Sequence, residues 1–405
     1  MSRPIVIIGA GQGGLQAAES LRSAKFEGEI LLLGDEKYLP YNRPPLSKAF
    51  LLGECERDQL TIRQAPVFEK KRITLETGVR VEKIDPVDHA LICNDGRTIG
   101  YEKLIIATGS RARSLPIANV DVEGVHCIRT LDDTLKIQAE LETTKNLVVV
   151  GGGFIGLEMA AVARKLGKAV MVVEFADRLM ARVVSPMISD YYKNMHESHG
   201  VDVRLNAQAG EIIAKNDRVQ GVKLSDGEEL PADMVVLGVG VLPNQELAHE
   251  AGLTCEGGIV IDHKGRTSDP DIYAIGDCTA QKLSDGSFLR LESVQNAVEL
   301  AKAAANDIMG NDKPFVAAPW FWSDQYDVTL QMVGLSGGYD TAVLRGDLDS
   351  ASFSYFYFKQ GNLIAVDSLN QSSDHMAGRK LLGGANSLTP ETAQDLSFNL
   401  RDAIG

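Results

Sequence analysis

Chemistry is legible first in three glycines and an acid. Gly151, Gly153 and Gly156 stand in the spacing G-x-G-x-x-G, and Glu174 follows at the offset, roughly 20 residues, at which a carboxylate can take a ribose. The first glycine permits a tight turn, the second lets main chain approach a pyrophosphate, and the third lets helix and strand pack closely. The pyrophosphate charge would rest on unsatisfied N–H groups at a helix N-terminus. Such a site needs a strand before it and a helix after it, and the flanks supply both. Leu147-Val148-Val149-Val150 is a short β-branched run, as suits a strand buried on both faces. An Ala- and Leu-rich helix follows, and Ala169 to Val173 forms a second strand that ends at Glu174.

The same unit opens the chain. Pro4 to Ile8 reads as a strand, Gly9, Gly11 and Gly14 repeat the spacing, and a helix is expected from about Gly14 to Ala24. Glu29 to Leu33 is the second strand, ending at Asp35 and Glu36, one of which should take a ribose. One such fold binds one dinucleotide, so two of them imply two cofactors facing each other.

The chain's 405 residues exceed one ordinary core and predict two or three domains. A formal net charge of −14 argues against nucleic-acid binding and against attraction to an anionic membrane. No apolar run approaches the ~18 residues of a spanning helix. The apolar N-terminus resembles a secretory segment, but its glycines belong to the first dinucleotide unit, so a cytoplasmic protein is expected. Cys55, Cys93, Cys127, Cys255 and Cys278 are odd in number and scattered, with no C-x-x-C and no metal-like spacing. Exchange chemistry on disulfides needs a close pair of thiols, and none is expected here, nor is a metal site.

Tyr41 to Lys48, with Pro44 and Pro45, is a rigid stretch suited to a pocket wall. Alternating strands follow at 73–75, 79–81 and 90–93, with Asp95-Gly96 as a hairpin turn, and Lys103 to Gly109 returns the chain to the first sheet. The second unit repeats the plan, with Asp226-Gly227 as its hairpin and Met234 to Gly240 as its closing strand. Asp271 to Asp277 then reads as a strand ending in an acid, before a helix from Ser293 to Met309. After Pro319, strands at 328–333, 353–358 and 363–366 predict a third domain of α+β type. The fold class expected is α/β, with two Rossmann-like dinucleotide-binding domains and a C-terminal α+β domain. Residues 1–113 and 242–318 form the first domain, 114–241 the second and 319–405 the third.

These residues together resemble the pyridine-nucleotide disulfide oxidoreductase superfamily, of glutathione-reductase-like architecture. More narrowly they resemble the FAD-dependent ferredoxin reductases of the putidaredoxin reductase type, which serve bacterial cytochrome P450s and ring-hydroxylating dioxygenases. The resemblance rests on Gly9 to Gly14, Arg43 to Lys48, Ala107-Thr108-Gly109, Gly151 to Glu158, Ala274 to Asp277, Glu292 to Ala297 and Pro319 to Gln325. It implies FAD on the first unit and NADH on the second. It places Gly9, Gly11, Gly13, Gly14, Asp35 or Glu36, Arg43, Lys48, Val81, Ala107, Thr108, Gly109, Arg129, Asp277 and Val294 against FAD. It places Gly151, Gly153, Ile155, Gly156, Glu158, Glu174, Arg182 and Gly240 against NADH. Glu174 would repel a 2′-phosphate and so favour NADH over NADPH. Glu158, on the first turn of its helix, is expected beside the nicotinamide and paired with Lys48. Trp320 and Trp322 are expected to cover the flavin edge or the nicotinamide site.

The mechanism so implied sets nicotinamide C4 over flavin N5 for hydride transfer, and the electrons leave singly to a [2Fe-2S] ferredoxin that feeds a P450 or dioxygenase. The partner is expected to dock on cations at Arg290, Lys302, Arg379 and Lys380, and the chain to be a monomer or weak dimer. Three other readings share the fold. A disulfide or peroxide reductase would need a cysteine near residues 41–48, where there is none. A monodehydroascorbate or quinone reductase, and a slow NADH-binding sensor resembling apoptosis-inducing factor, differ from an efficient ferredoxin reductase in acceptor and in rate.

Overall fold

The computed structural model describes residues 3–283, 285–311 and 318–405. The chain divides into two compact units, each assembled from three segments. The first comprises Met1–Asn42, Arg57–Arg111 and Leu242–Ala317. Its centre is a five-stranded parallel sheet in the order Ile272–Ala274, Lys103–Ile106, Ile5–Ile8, Ile30–Gly34 and Ile73–Thr77. Ile5 to Ile8 pair in register with Ile30 to Leu33 on one side and Lys103 to Ile106 on the other. Every residue of the central strand is buried, which is why it is an unbroken apolar run and not an alternating one. The helices Gln12–Ser23 and Val294–Ile308 pack against each other, and Leu15, Leu21, Leu300 and Ala304 join the sheet residues in one core.

A three-stranded antiparallel sheet, Val81–Asp85, Ala90–Cys93 and Thr98–Gly100, is inserted into this unit, and Asp95-Gly96 turns its second hairpin with Gly96 at φ +82°. Val79 and Arg80, expected in a strand, lie before it. The Val79 N–H donates to the Gly34 carbonyl, so this stretch is pinned to the end of the large sheet instead.

The second unit comprises Arg43–Glu56, Ala112–Val241 and Ala318–Gly405. It holds a second parallel sheet in the order Val201–Arg204, Ala169–Val173, Asn146–Val150, Met234–Leu237 and Val125–His126. The closing strand stops at Leu237, short of the expected Gly240, which takes φ +95°. A separate antiparallel sheet runs Trp320–Gln325, Val328–Gly334, Asn362–Leu369, Ser352–Lys359 and Thr341–Asp347. The helix Ser372–Leu382 lies against it, with Val333, Phe356, Phe358, Val366 and Leu381 in the shared core. The boundary expected at 318/319 follows residues 312–317, which lie outside the described residues. Among the described residues no helix is long and apolar enough to cross a membrane.

Candidate functional site

In the first unit, the glycine loop is shaped by contacts that no side chain would permit. Gly9 sits at φ +106°, and a Cβ there would stand 2.2 Å from the Ala107 carbonyl oxygen; one on Gly14 would stand 1.9 Å from that of Gly9. Gly11 caps the helix in an extended conformation, the helix has no acid in its first turn, and a Cβ on Gly11 would meet nothing within 4 Å. The helix starts two residues before the expected Gly14, and no side chain caps its first N–H groups, as suits an anion site. Gly13 lies deeper, where a Cβ would touch Ile275 and Ala297 at 3.5 and 3.6 Å.

The acids at the end of the second strand have different surroundings. Glu36 accepts from the Tyr41 hydroxyl at 2.6 Å, whereas Asp35 is exposed and pairs with Arg80 at 3.1 Å. Gly78 N–H donates to the Glu36 carbonyl, which brings the segment leading to Val81 alongside them. Thr108 Oγ1 donates to the Asn244 carbonyl at 2.7 Å, and Ser110 Oγ donates to Asp277 at 3.0 Å. Gly109, at φ +65°, turns the chain between them. Val294 is the first residue of its helix, which Ser293 caps by accepting from Asn296 N–H. A loop open to a pyrophosphate, with acids at the next strand end, fits the adenosine half of FAD.

In the second unit the same geometry recurs. Gly151 is at φ +107°, a Cβ on it would stand 2.5 Å from the Gly238 carbonyl oxygen, and one on Gly156 would stand 2.2 Å from that of Gly151. Gly153 caps the helix Phe154–Lys165, again without an acid in the first turn, and Ile155 is half-buried beside it. Both oxygens of Glu174 are held by main chain, Oε2 accepting from Gly152 N–H at 2.6 Å and Oε1 from Ala176 N–H at 2.7 Å. The carboxylate is thus fixed at the rim of the loop. Arg178 spends its donors on Val184, Ser189 and Ala181, while Arg182 is exposed beside Gly240.

Also within the second unit, a cleft of about 360 Å³ is lined by Pro44, Pro45, Ser47, Lys48, Glu158, Trp322 and Tyr326, among others. Lys48 Nζ stands 2.8 Å from Glu158 Oε2. Glu158 is the fifth residue of its helix and not in the first turn as expected, because the helix begins only after the Gly153 cap. Its charge is answered by side chains, not by the helix end. Ser47 Oγ donates to Oε2 at 2.5 Å and Ser323 Oγ to Oε1 at 2.6 Å. Behind Ser323 lie Gln325 and His196, whose burial lowers the imidazole to about 4. Ser47, Ser323, Gln325 and His196 were not among the expected site residues. Ser323 and Gln325 carry a signal nonetheless, since residues two apart in a strand share a face.

Arg43 donates to the Arg129 carbonyl at 2.8 Å, joining two residues expected near FAD. Trp322 lines the cleft, but Trp320 packs into the C-terminal domain. Its ring lies 5.6 Å from that of Trp322 and 6.0 Å from His375, with the Arg379 guanidinium 4.9 Å over it. Of the four cations expected to meet the partner, two are paired with acids: Lys302 with Glu299 at 2.8 Å and Arg290 with Glu292 at 2.7 Å.

Known proteins match the chain over nearly its whole length. Residues 3–305 match the family model described as pyridine nucleotide-disulphide oxidoreductase, and residues 320–404 match the one described as reductase C-terminal. The chain is 46% identical to rhodocoxin reductase of Rhodococcus erythropolis over 99% of its own length and 94% of that protein's. Among solved structures, a ferredoxin reductase for the CYP199A2 system of Rhodopseudomonas palustris superposes with a TM-score of 0.97 at 46% identity, covering 100% of both chains. The reductase in a covalent putidaredoxin reductase–putidaredoxin complex superposes with a TM-score of 0.96 at 38% identity, covering 99% of this chain and 98% of that one.

Proposed function

As the chain belongs to the pyridine nucleotide-disulphide oxidoreductase family, we propose that it is an NADH-dependent FAD enzyme that delivers electrons singly to a [2Fe-2S] ferredoxin serving a cytochrome P450 or a ring-hydroxylating dioxygenase. The observation that carries this reading is the pair of glycine loops, each with an open helix N-terminus and an acid at the next strand end. FAD, when bound, takes up a hydride's electron pair and releases the electrons one at a time, the chemistry that joins a two-electron donor to a one-electron acceptor.

The chain's own residues supply binding, alignment and charge. Segments 1–113 and 242–318 hold FAD through Gly9, Gly11, Gly14, Asp35 or Glu36, Val81, Thr108, Asp277 and Val294, and 114–241 holds NADH through Gly151, Gly153, Gly156 and Glu174. Glu174, already aimed by two main-chain N–H groups, receives the adenosine ribose hydroxyls and repels a 2′-phosphate. Glu158 would hold a fixed anion, and Lys48 a cation against it, beside the nicotinamide, and so would answer charge that develops there. Trp322 walls the cleft against water. Thiol chemistry has little support, because burial pushes the thiols of Cys93, Cys127, Cys255 and Cys278 up and all five cysteines are unpaired.

Rapid mixing of the flavin-loaded protein with NADH or NADPH, followed by flavin absorbance, tests the reading. NADH should bleach the flavin within a turnover and NADPH far more slowly. The double substitution Glu174→Gln, Phe175→Arg should narrow the gap by at least about tenfold, by removing an anion and adding a phosphate partner at an exposed position. Equal rates in the unaltered protein would take Glu174 out of this role, and slow bleaching by both nucleotides would favour a sensor over an enzyme.

A further inference from the structure

Behind Glu158 runs a buried line of polar groups that the assigned chemistry does not use. Ser323, Gln325 and His196 are each at most 1% exposed, and Glu158 is 3% exposed. The contacts are Ser323 Oγ to Glu158 Oε1 at 2.6 Å, Gln325 Nε2 to Ser323 Oγ at 3.2 Å, and His196 Nε2 to Gln325 Oε1 at 2.8 Å. Tyr326 OH stands 3.5 Å from His196 Nδ1 at the far end.

The direction of every proton in this line follows from one charge. A carboxylate only accepts, so Ser323 must give it its single hydroxyl proton. The Ser323 oxygen can then only accept from Gln325, which turns the Gln325 amide nitrogen toward it and the amide oxygen toward His196. That oxygen also only accepts, so the hydrogen of a neutral His196 must sit on Nε2, leaving Nδ1 to face Tyr326. Burial lowers the His196 imidazole to about 4, which keeps it neutral near physiological pH. All the dipoles therefore point the same way, with their positive ends toward Glu158. Aligned donors in a dry interior reinforce one another and favour the anion they end on.

We propose that Ser323, Gln325 and His196 form a one-way hydrogen-bond relay that holds Glu158 as an oriented anion facing Lys48, and that they are positioning residues for hydride transfer from NADH. The relay ties three elements to one carboxylate: the strand Trp320–Gln325, the helix Phe154–Lys165 that carries Glu158, and the helix Pro186–Ser198 that carries His196. The alternation of the strand does the placing, since Phe321, Ser323 and Gln325 meet Phe154, Glu158 and His196 in turn. The inference rests on the assignment of Glu158 to the nicotinamide site, and its test separates the two.

Nitrogen NMR of the flavin-loaded protein, labelled at histidine, reads the tautomer directly. His196 should be neutral and protonated on Nε2 between pH 6 and 8, and Gln325→Leu should abolish that preference. An Nδ1–H tautomer in the unaltered protein overturns the relay. Flavin reduction by NADH supplies the second arm. Ser323→Ala should slow it about tenfold, the scale of a lost hydrogen bond to a charged group, and Ser323→Thr should restore it. In the Glu158→Gln background Ser323→Ala should have no further effect. If Glu158→Gln reduces as fast as the unaltered protein, the assignment of Glu158 fails. If Glu158→Gln is slow while Ser323→Ala is fast, or if Ser323→Ala slows both backgrounds equally, the relay fails and the assignment stands.

Discussion

At Gly11 and Gly14 two glycines of one motif carry different burdens. A Cβ on Gly14 would enter the Gly9 carbonyl, a contact internal to the fold, whereas one on Gly11 would meet nothing within 4 Å. Gly14→Ala should therefore destabilise the flavin-free protein itself, by more than about 2 kcal/mol. Gly11→Ala should cost flavin-free stability no more than about 1 kcal/mol, the scale of a poorer helix cap, while weakening FAD binding at least tenfold. Denaturant unfolding of stripped protein, paired with FAD titration, distinguishes the two, and equal losses in both measurements would contradict the division of labour. The spacing of these glycines was legible in the sequence because the motif is local and its geometry comes from the chain itself. The partners of Glu158 were not, because Ser47 and Ser323 reach it across 111 and 165 residues. The acids Asp35 and Glu36 were legible only as a pair, since adjacent residues point apart and only tertiary packing brought Tyr41 to one and Arg80 to the other.

Among the elements, the C-terminal sheet shows where pattern reading reaches and where it stops. Of its inner strands, 328–333 alternates, while 353–358 and 363–366 are aromatic or apolar runs buried along most of their length. Thr341–Asp347 is an edge strand with no residue fully buried, and Trp320–Gln325, at the other edge, has aromatic residues on both faces. Neither has the alternation that a strand buried on one side acquires. The same sheet buries Asp367, which accepts from the Tyr357 hydroxyl at 2.6 Å. Burial raises this carboxyl to about 7, against the pull of that hydrogen bond. The folded protein thus keeps a proton that the unfolded chain releases near pH 4. The stabilisation is complete below that pH and is lost as pH rises through about 7, a span of at most roughly 4 kcal/mol. Asp367→Asn should flatten the fall in urea midpoint between pH 5 and 8, since an amide oxygen still accepts from Tyr357 and carries no proton to lose. Parallel pH profiles for the two proteins would assign the fall to another group.

Taken whole, the molecule carries a net charge of −14, so an acidic ferredoxin would be repelled at long range and attracted only by local cations. Lys302 is masked by Glu299. Glu299→Gln should accordingly lower the KM for ferredoxin at low salt and Lys302→Glu raise it, both effects vanishing at high salt; unchanged KM in both variants would put the partner on another face. The sequence made the two nucleotide units legible as repeats, but not the way each compact unit is gathered from three separate stretches of chain. That gathering has a consequence for biosynthesis. The strand Ile272–Ala274 completes the first parallel sheet by pairing with Lys103–Ile106, yet it leaves the ribosome roughly 170 residues later, on the order of ten to thirty seconds at ordinary synthesis rates. Until then Leu104, Ile105 and Ile106 form an unpaired apolar edge, the kind of surface that recruits other strands. A chain stopped at Pro270 should fail to retain FAD and should pellet from lysate, whereas a soluble, yellow fragment would show the edge to be dispensable. The nascent protein therefore carries a strand edge open to wrong partners for as long as its flavin fold waits for its last strand.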